Sequence, residues 1–202
     1  MHIAAVFGIG YLCGCISPAA ILGKTKHIDL RQEGTKNLGA TNTGLVLGAG
    51  SGFLVLIADI LKSILSAMLS AALFPKVKQA RMIAGIGCLL GHCFPIFMNF
   101  RGGKGVAVFA GMVLLYDARF AVPIVVIGTA LIFVLNTGVA APILACVLFP
   151  MLVAWKNPGS IDIVLASTAS LIVLLMHTDN IRKALTNRDV ISTRDYFRKL
   201  LK

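Results

Sequence analysis

Residues 44–73 read GLVLGAGSGFLVLIADILKSILSAMLSAAL, and Asp59 and Lys62 are the charged side chains in that run. The stretch exceeds the roughly 20 residues that a helix needs to cross a bilayer. It carries no polar outer face of the kind a helix on a soluble core requires. In lipid the backbone finds no outside partner, so helices that satisfy their own amides are the structure such a run can take.

The rest of the chain repeats this pattern. It is 57% hydrophobic and 13% charged, with a mean hydropathy of +0.88, where soluble domains carry about 25% charged residues. Apolar runs fall at 3–23, 44–73, 82–99, 106–116, 120–135, 139–155 and 161–176, each bounded by Gly, Pro, Asn or charge. The fold class expected is all-α: a polytopic membrane helix bundle of about seven transmembrane helices, forming one domain over residues 1–202. The fourth run is short, and fusing it with the fifth would place Asp117 and Arg119 in mid-membrane. Insertion scales penalise each such charge by about 2.5–3.5 kcal/mol. A turn at YDARFAVP (116–123) costs less, with Asp117 capping a new helix and Pro123 in its first turn.

Seven spans sort the cations. Lys24, Lys26, Arg31, Lys36, Arg101, Lys104 and a basic tail of about the last 15 residues share one side, and Lys76, Lys78, Arg81, Arg119 and Lys156 take the other. The positive-inside rule then sets the N-terminus outside and the tail in the cytoplasm. The net charge of +11 is accounted for by these membrane-flanking cations, and no soluble basic domain remains to bind nucleic acid. The N-terminal MHIAAVFGIGYLCGC lacks the basic start of a secretory signal and reads as a first transmembrane helix. Cys13, Cys15, Cys88, Cys93 and Cys146 lie in apolar stretches without C-x-x-C pairing and read as small hydrophobes; Cys88, His92 and Cys93 alone make no metal site.

Three polar stretches interrupt the lipid-like sequence. HIDLRQEGTKNLGATNTG (27–44) concentrates Gly34, Thr35, Asn37, Gly39, Thr41 and Asn42 ahead of an apolar run, with Arg31 and Lys36 beside them. Small residues let backbone amides converge on an anion, and the positive end of the following helix adds to the field. GHCFPIFMNFRGGKGVAVFAG (91–111) sets Lys104 among Gly102, Gly103 and Gly105, which permit tight turning and exposed amides suited to phosphate. The spacing is not that of a Walker A loop. HTDNIRKALTNRD (177–189) places His177 and Asn180 three apart, on one helical face, where an imidazole and an amide can serve a hydroxyl that loses its proton. Asp59 and Lys62 read as an ion pair that fixes packing near this site.

These motifs resemble those of the bacterial acyl-phosphate:glycerol-3-phosphate acyltransferases. The similarity runs from about Tyr11 to Asp189: Asp29, Leu30, Arg31, Gly34, Asn37, Gly39, Ala40, Thr41 and Asn42 match one motif, residues 91–107 a second, and His177, Asn180 and Ile181 a third. The chain departs from the family pattern at Lys36, where a glycine is usual, at Cys15, where a serine is expected with Ser17 nearby, and at Lys183, Ala184, Asn187 and Asp189. The resemblance implies transfer of an acyl group from acyl phosphate to the sn-1 hydroxyl of glycerol 3-phosphate, giving lysophosphatidic acid, with no metal, no cofactor and no acyl-CoA. It implies a multi-pass protein of the bacterial cytoplasmic membrane, active on the cytoplasmic face, with both substrates and membrane lipid as partners; no protein partner is inferable. Lys104, His177 and Asn180 would be catalytic. Arg31, Gly34, Thr35, Asn37, Gly39, Thr41 and Asn42 would hold mainly the acyl-phosphate head, and His92, Gly102, Gly103 and Gly105 would complete the glycerol-phosphate pocket. Either His177 or a substrate phosphate takes the proton. A transporter of small organophosphates is the rival from another class; it expects internal repeats, and none is evident. A membrane scaffold without chemistry would leave the anion-binding loops unexplained.

Overall fold

The computed structural model describes residues 2–135 and 137–186, so the basic tail from 187 onward, with Arg188, Asp189 and Arg194, lies outside the described residues. The described chain is helical: α1 (His2–Cys15), α2 (Pro18–Thr25), α3 (Ala40–Leu47), α4 (Ala49–Leu73), α5 (Ala80–Cys93), α6 (Val106–Tyr116), α7 (Ala118–Val134), α8 (Ala140–Lys156), α9 (Ile161–Met176) and α10 (Thr178–Leu185). It divides into two compact units, Met1–Met112 and Val113–Lys202.

α4 shows how a membrane helix inverts the soluble pattern. Gly52, Val55, Asp59, Ser63, Ser66 and Ser70 are buried and recur every three or four residues, a stripe of small and polar side chains. Phe53, Leu54, Leu61, Leu65, Met68 and Leu73 are exposed on the other faces. Lipid tails are as apolar as leucine, so helices associate through close packing of small residues and internal polar contacts.

α1 and α5 make the closest helix pair of the first unit. A Cβ on Gly10 would collide with the Ala84 backbone, one on Gly14 with Cys88, one on Gly87 with Phe7, and one on Gly91 with Tyr11. Residue numbers rise together along both helices, so they run parallel, meeting through a G-x-x-x-G pair on each. Their C-terminal ends therefore lie at one end of the unit. That end holds the loops 26–39 and 94–105, and this single geometric fact assembles the site.

Several boundaries differ from the sequence expectation. The run 3–23 is broken at Ile16 and Ser17: Pro18 has no amide to continue the ladder, and the Ser17 hydroxyl caps α2 by accepting from Ala20 N at 3.2 Å. The run 44–73 starts at Ala49 instead, because Gly48 adopts φ +90° and folds α3 back against the start of α4, where Gly52 meets Gly44. Pro123 falls in the second turn of α7 and not the first, while Asp117 caps as expected, accepting from Arg119 N at 3.0 Å. His2–Thr25, Ala49–Leu73 and Ala80–Met98 are long and apolar enough to cross a membrane; α9 with α10, bent by 58°, makes a fourth candidate. α6, α7 and α8 occupy the other expected runs as shorter apolar helices.

In the second unit, Asp117 pairs with Arg119 at 3.0 Å and with Lys156 of α8. Tyr116 stacks edge-on against Phe149, Phe120 against Trp155, and Asn157 donates to the Tyr116 hydroxyl at 2.9 Å. The hydrogen bond from Arg119, then that from Lys156, holds the Asp117 carboxyl far below the usual carboxylate range.

Candidate active site

The loop 26–39 is pinned before it is functional. Leu30 and Leu38 are buried in one cluster with Ala19 of α2 and Val55 of α4. Asn42, fully buried at the start of α3, accepts from Thr35 N at 2.6 Å and donates to Leu30 O at 2.8 Å. Both ends of its amide are spent on the loop. Asn42 is thus a frame residue of this loop. Gly34 turns the chain with φ +57°, and a Cβ there would press on Oδ1 of the Asn42 side chain.

What the loop leaves exposed is Arg31, Thr35 and Lys36, with Thr41 exposed in the first turn of α3 and Asn37 and Gly39 half-buried. Arg31 forms a two-pronged pair with Asp29, Nε to Oδ1 at 3.0 Å and Nη2 to Oδ2 at 3.1 Å. This pairing holds the Asp29 carboxyl below its ordinary range and raises the guanidinium above its own. It fixes the direction of a fork whose planar shape matches phosphate. Lys36 sits at φ +60°, the left-handed conformation that a glycine would take without a Cβ penalty.

The second loop folds onto the end of α5. Gly102 N donates to Cys93 O at 3.1 Å and Gly103 N to His92 O at 3.0 Å. Those two amides are engaged, so what these glycines contribute is close backbone approach in place of the exposed amides expected from sequence. A Cβ on Gly103 would strike the His92 ring and come 2.6 Å from Leu38 O. The two loops therefore touch at Gly103. Gly105, at φ +81°, packs against Leu89 and Cys93 and starts α6, with Lys104 half-buried just ahead of that helix's positive end. His92 is buried, with Nδ1 3.0 Å from Lys62 Nζ.

His177 and Asn180 belong to the second unit. His177 is the junction between α9 and α10 and not part of a continuous helix face; it is buried, with Nδ1 2.8 Å from Val173 O. A carbonyl only accepts, so Nδ1 carries a proton. Asn180, half-buried, lies in the first turn of α10.

Reading the sequence missed the close packing of α1 against α5, although the G-x-x-x-G spacings at Gly10/Gly14 and Gly87/Gly91 signal it. It also missed the reach of Lys62 to His92, for which no local signal exists.

A profile of the family described as glycerol-3-phosphate acyltransferase matches residues 4–187. The chain belongs to the glycerol-3-phosphate acyltransferase family. A family member from Desulfotalea psychrophila is 34% identical over 185 residues, covering 90% of this chain and 93% of its own. One from Bacillus velezensis is 33% identical over 193 residues, covering 94% and 97%. Among solved structures, the fold is similar to that of PlsY (YgiH), an integral membrane glycerol 3-phosphate acyltransferase. Its glycerol 3-phosphate form gives a TM-score of 0.87 at 26% identity over 96% of this chain and 98% of that one. Its lysophosphatidic acid form gives 0.85 at the same identity. The chain is thus an integral membrane, all-helical member of the family, and the matched residues take in the first two polar stretches and the third as far as residue 187.

Proposed function

We propose that this protein transfers a fatty acyl group from acyl phosphate to the sn-1 hydroxyl of glycerol 3-phosphate, releasing phosphate and lysophosphatidic acid. The observation that carries the reading is the meeting of the two loops at Gly103, which gathers Arg31, Thr35, Lys104 and His92 at one end of the first unit. Two phosphorylated substrates need cations and oriented donors more than they need a protein nucleophile, because phosphate already leaves readily. Arg31, Thr35, Asn37 and Thr41, on a loop turned at Gly34 and Gly39, take the acyl-phosphate head. Lys104 and His92, with Gly102, Gly103 and Gly105 permitting close approach, take glycerol 3-phosphate. His177 and Asn180, by the motif they match, are assigned the orientation of its hydroxyl.

In the reaction the hydroxyl oxygen attacks the acyl carbonyl carbon, an ester C–O bond forms, and the C–O bond to phosphate breaks. The hydroxyl proton has two candidate acceptors, a substrate phosphate oxygen and Nε2 of His177. The fold similarity to a protein solved with glycerol 3-phosphate and with lysophosphatidic acid supports the acceptor and the product.

The parallel course of α1 and α5 supports a common side for Lys24, Lys26, Arg31, Lys36, Arg101 and Lys104. By the positive-inside rule that side is cytoplasmic, in a seven-span chain of the bacterial inner membrane with its N-terminus outside. The protein purified in lipidic micelles, given acyl phosphate and labelled glycerol 3-phosphate, is expected to release labelled lysophosphatidic acid. Product formed with acyl-CoA and none with acyl phosphate would overturn the donor assignment.

A further inference from the structure

Asp59 and Lys62 lie one turn apart on the buried stripe of α4, and their contacts go beyond pairing with each other. Lys62 Nζ stands 2.7 Å from Asp59 Oδ1. Its hydrogen bonds go to Ile16 O at 2.8 Å, His92 Nδ1 at 3.0 Å and Gly14 O at 3.2 Å. Four acceptors thus share the three protons of the ammonium. Asp59 Oδ1 supplies counter-charge and stands 3.4 Å from His92 Nδ1.

An ammonium has no lone pair to offer. The nitrogen it approaches at 3.0 Å must therefore be the acceptor, so His92 Nδ1 is bare and the ring proton is on Nε2. That Nε2 faces the Cα of Gly103, where any Cβ would occupy its place. His177 carries a proton on the opposite nitrogen, because its Nδ1 meets a carbonyl.

We propose that Lys62 is a positioning residue for the transfer reaction: it holds His92 as the Nε2–H tautomer and presents that N–H to the phosphorylated acceptor at the glycine loop. The identity of the ligand rests on the acyl-transfer reading; the tautomer does not. The same ammonium caps the carbonyls of Gly14 and Ile16 at the break between α1 and α2, so one side chain sets both the frame and the donor. A second hydrogen-bonded shell of this kind fixes tautomer and ring orientation, much as carboxylates do for metal-bound histidines.

The test uses the full chain with 15N-labelled histidine in lipid bilayers, without substrate, and H92Q for assignment. His92 Nδ1 is expected in the unprotonated, pyridine-like range and Nε2 in the pyrrole-like range, with both tautomers appearing in K62M. In turnover, K62M raises KM for glycerol 3-phosphate about tenfold with a smaller change in kcat, the worth of one charge-assisted hydrogen bond. H92N, whose amide sits near the Nδ1 position, raises KM further than H92Q, whose amide reaches the Nε2 position. A protonated Nδ1 in the wild type, an unchanged His92 spectrum in K62M, or equal KM values for H92N and H92Q would each overturn the proposal. Should K62M not fold, the wild-type spectrum and the two His92 variants still decide. Spectra as stated from a protein that forms no lysophosphatidic acid would sink the acyl-transfer reading alone.

Discussion

Replacing Asn42 by alanine tests whether the first loop is held or merely connects. The side chain makes two bonds, from Thr35 N at 2.6 Å and to Leu30 O at 2.8 Å, and is itself fully buried. Losing both leaves one backbone donor and one acceptor without partners, at about 1–3 kcal/mol each when water cannot replace the bond. Thr35 is exposed and its amide rehydrates, so it falls at the low end; Leu30 is 1% exposed and its carbonyl bears most of the cost. The sum is about 2–4 kcal/mol, which for a chain of this size lowers the melting temperature on the order of 5–10 °C. Because Arg31 and Thr35 ride on the loop, kcat/KM falls with stability, at least tenfold. N42D keeps the acceptor for Thr35 but turns a carboxylate oxygen toward the Leu30 carbonyl, and is expected to be as damaging. Thermal unfolding in lipidic micelles, run beside the acyl-transfer assay, separates the cases. An N42A protein with an unchanged melting temperature but lost turnover would make Asn42 a substrate ligand and refute the frame argument.

Four further outcomes are expected. K104A loses about 10²–10³ in kcat, the cost of removing one oriented donor from a developing charge, and a near-normal rate in intact protein would remove Lys104 from the site. H177Q abolishes the acidic limb of the pH–rate profile if the imidazole takes the proton, since a protonated ring cannot accept it; an unchanged limb with a modest rate loss assigns the proton to a substrate phosphate. D117N lowers the melting temperature at neutral pH. The folded pKa of Asp117 is depressed by Arg119 and Lys156, so the wild type's advantage is full above about 4 and shrinks as pH falls toward the folded value; a gap that widens in acid would contradict the pairing. K36G relieves the left-handed strain at φ +60° and is no less stable than wild type, gaining up to about 1 kcal/mol, whereas K36A keeps the strain; denaturant unfolding measures the difference.

The membrane class was legible because the bilayer acts on each segment separately: a run such as 49–73 is apolar enough to insert whatever its neighbours do. The turn at Asp117 was legible for the same reason, since capping is local. The three polar stretches could be found, and their likeness to a family read, because their residues are adjacent in sequence. Roles inside them were less legible. Asn42 and Thr41 are neighbours of similar chemistry, yet one is fully buried with its amide spent on Leu30 and Thr35 while the other is exposed.

Sequence alone thus determined that the chain lives in lipid, as helices, and that its polar, glycine-rich and basic residues are concentrated in three stretches. Only the tertiary structure decided that α1 and α5 pack against each other, that the loops after them meet at Gly103, and that Lys62 reaches Gly14, Ile16 and His92 across 46 to 48 and 30 residues of chain. The reason is physical. Hydrophobic insertion and capping sum over neighbouring residues, whereas the direction of a hydrogen bond, and hence which nitrogen of a histidine keeps its proton, depends on atoms that packing alone brings together.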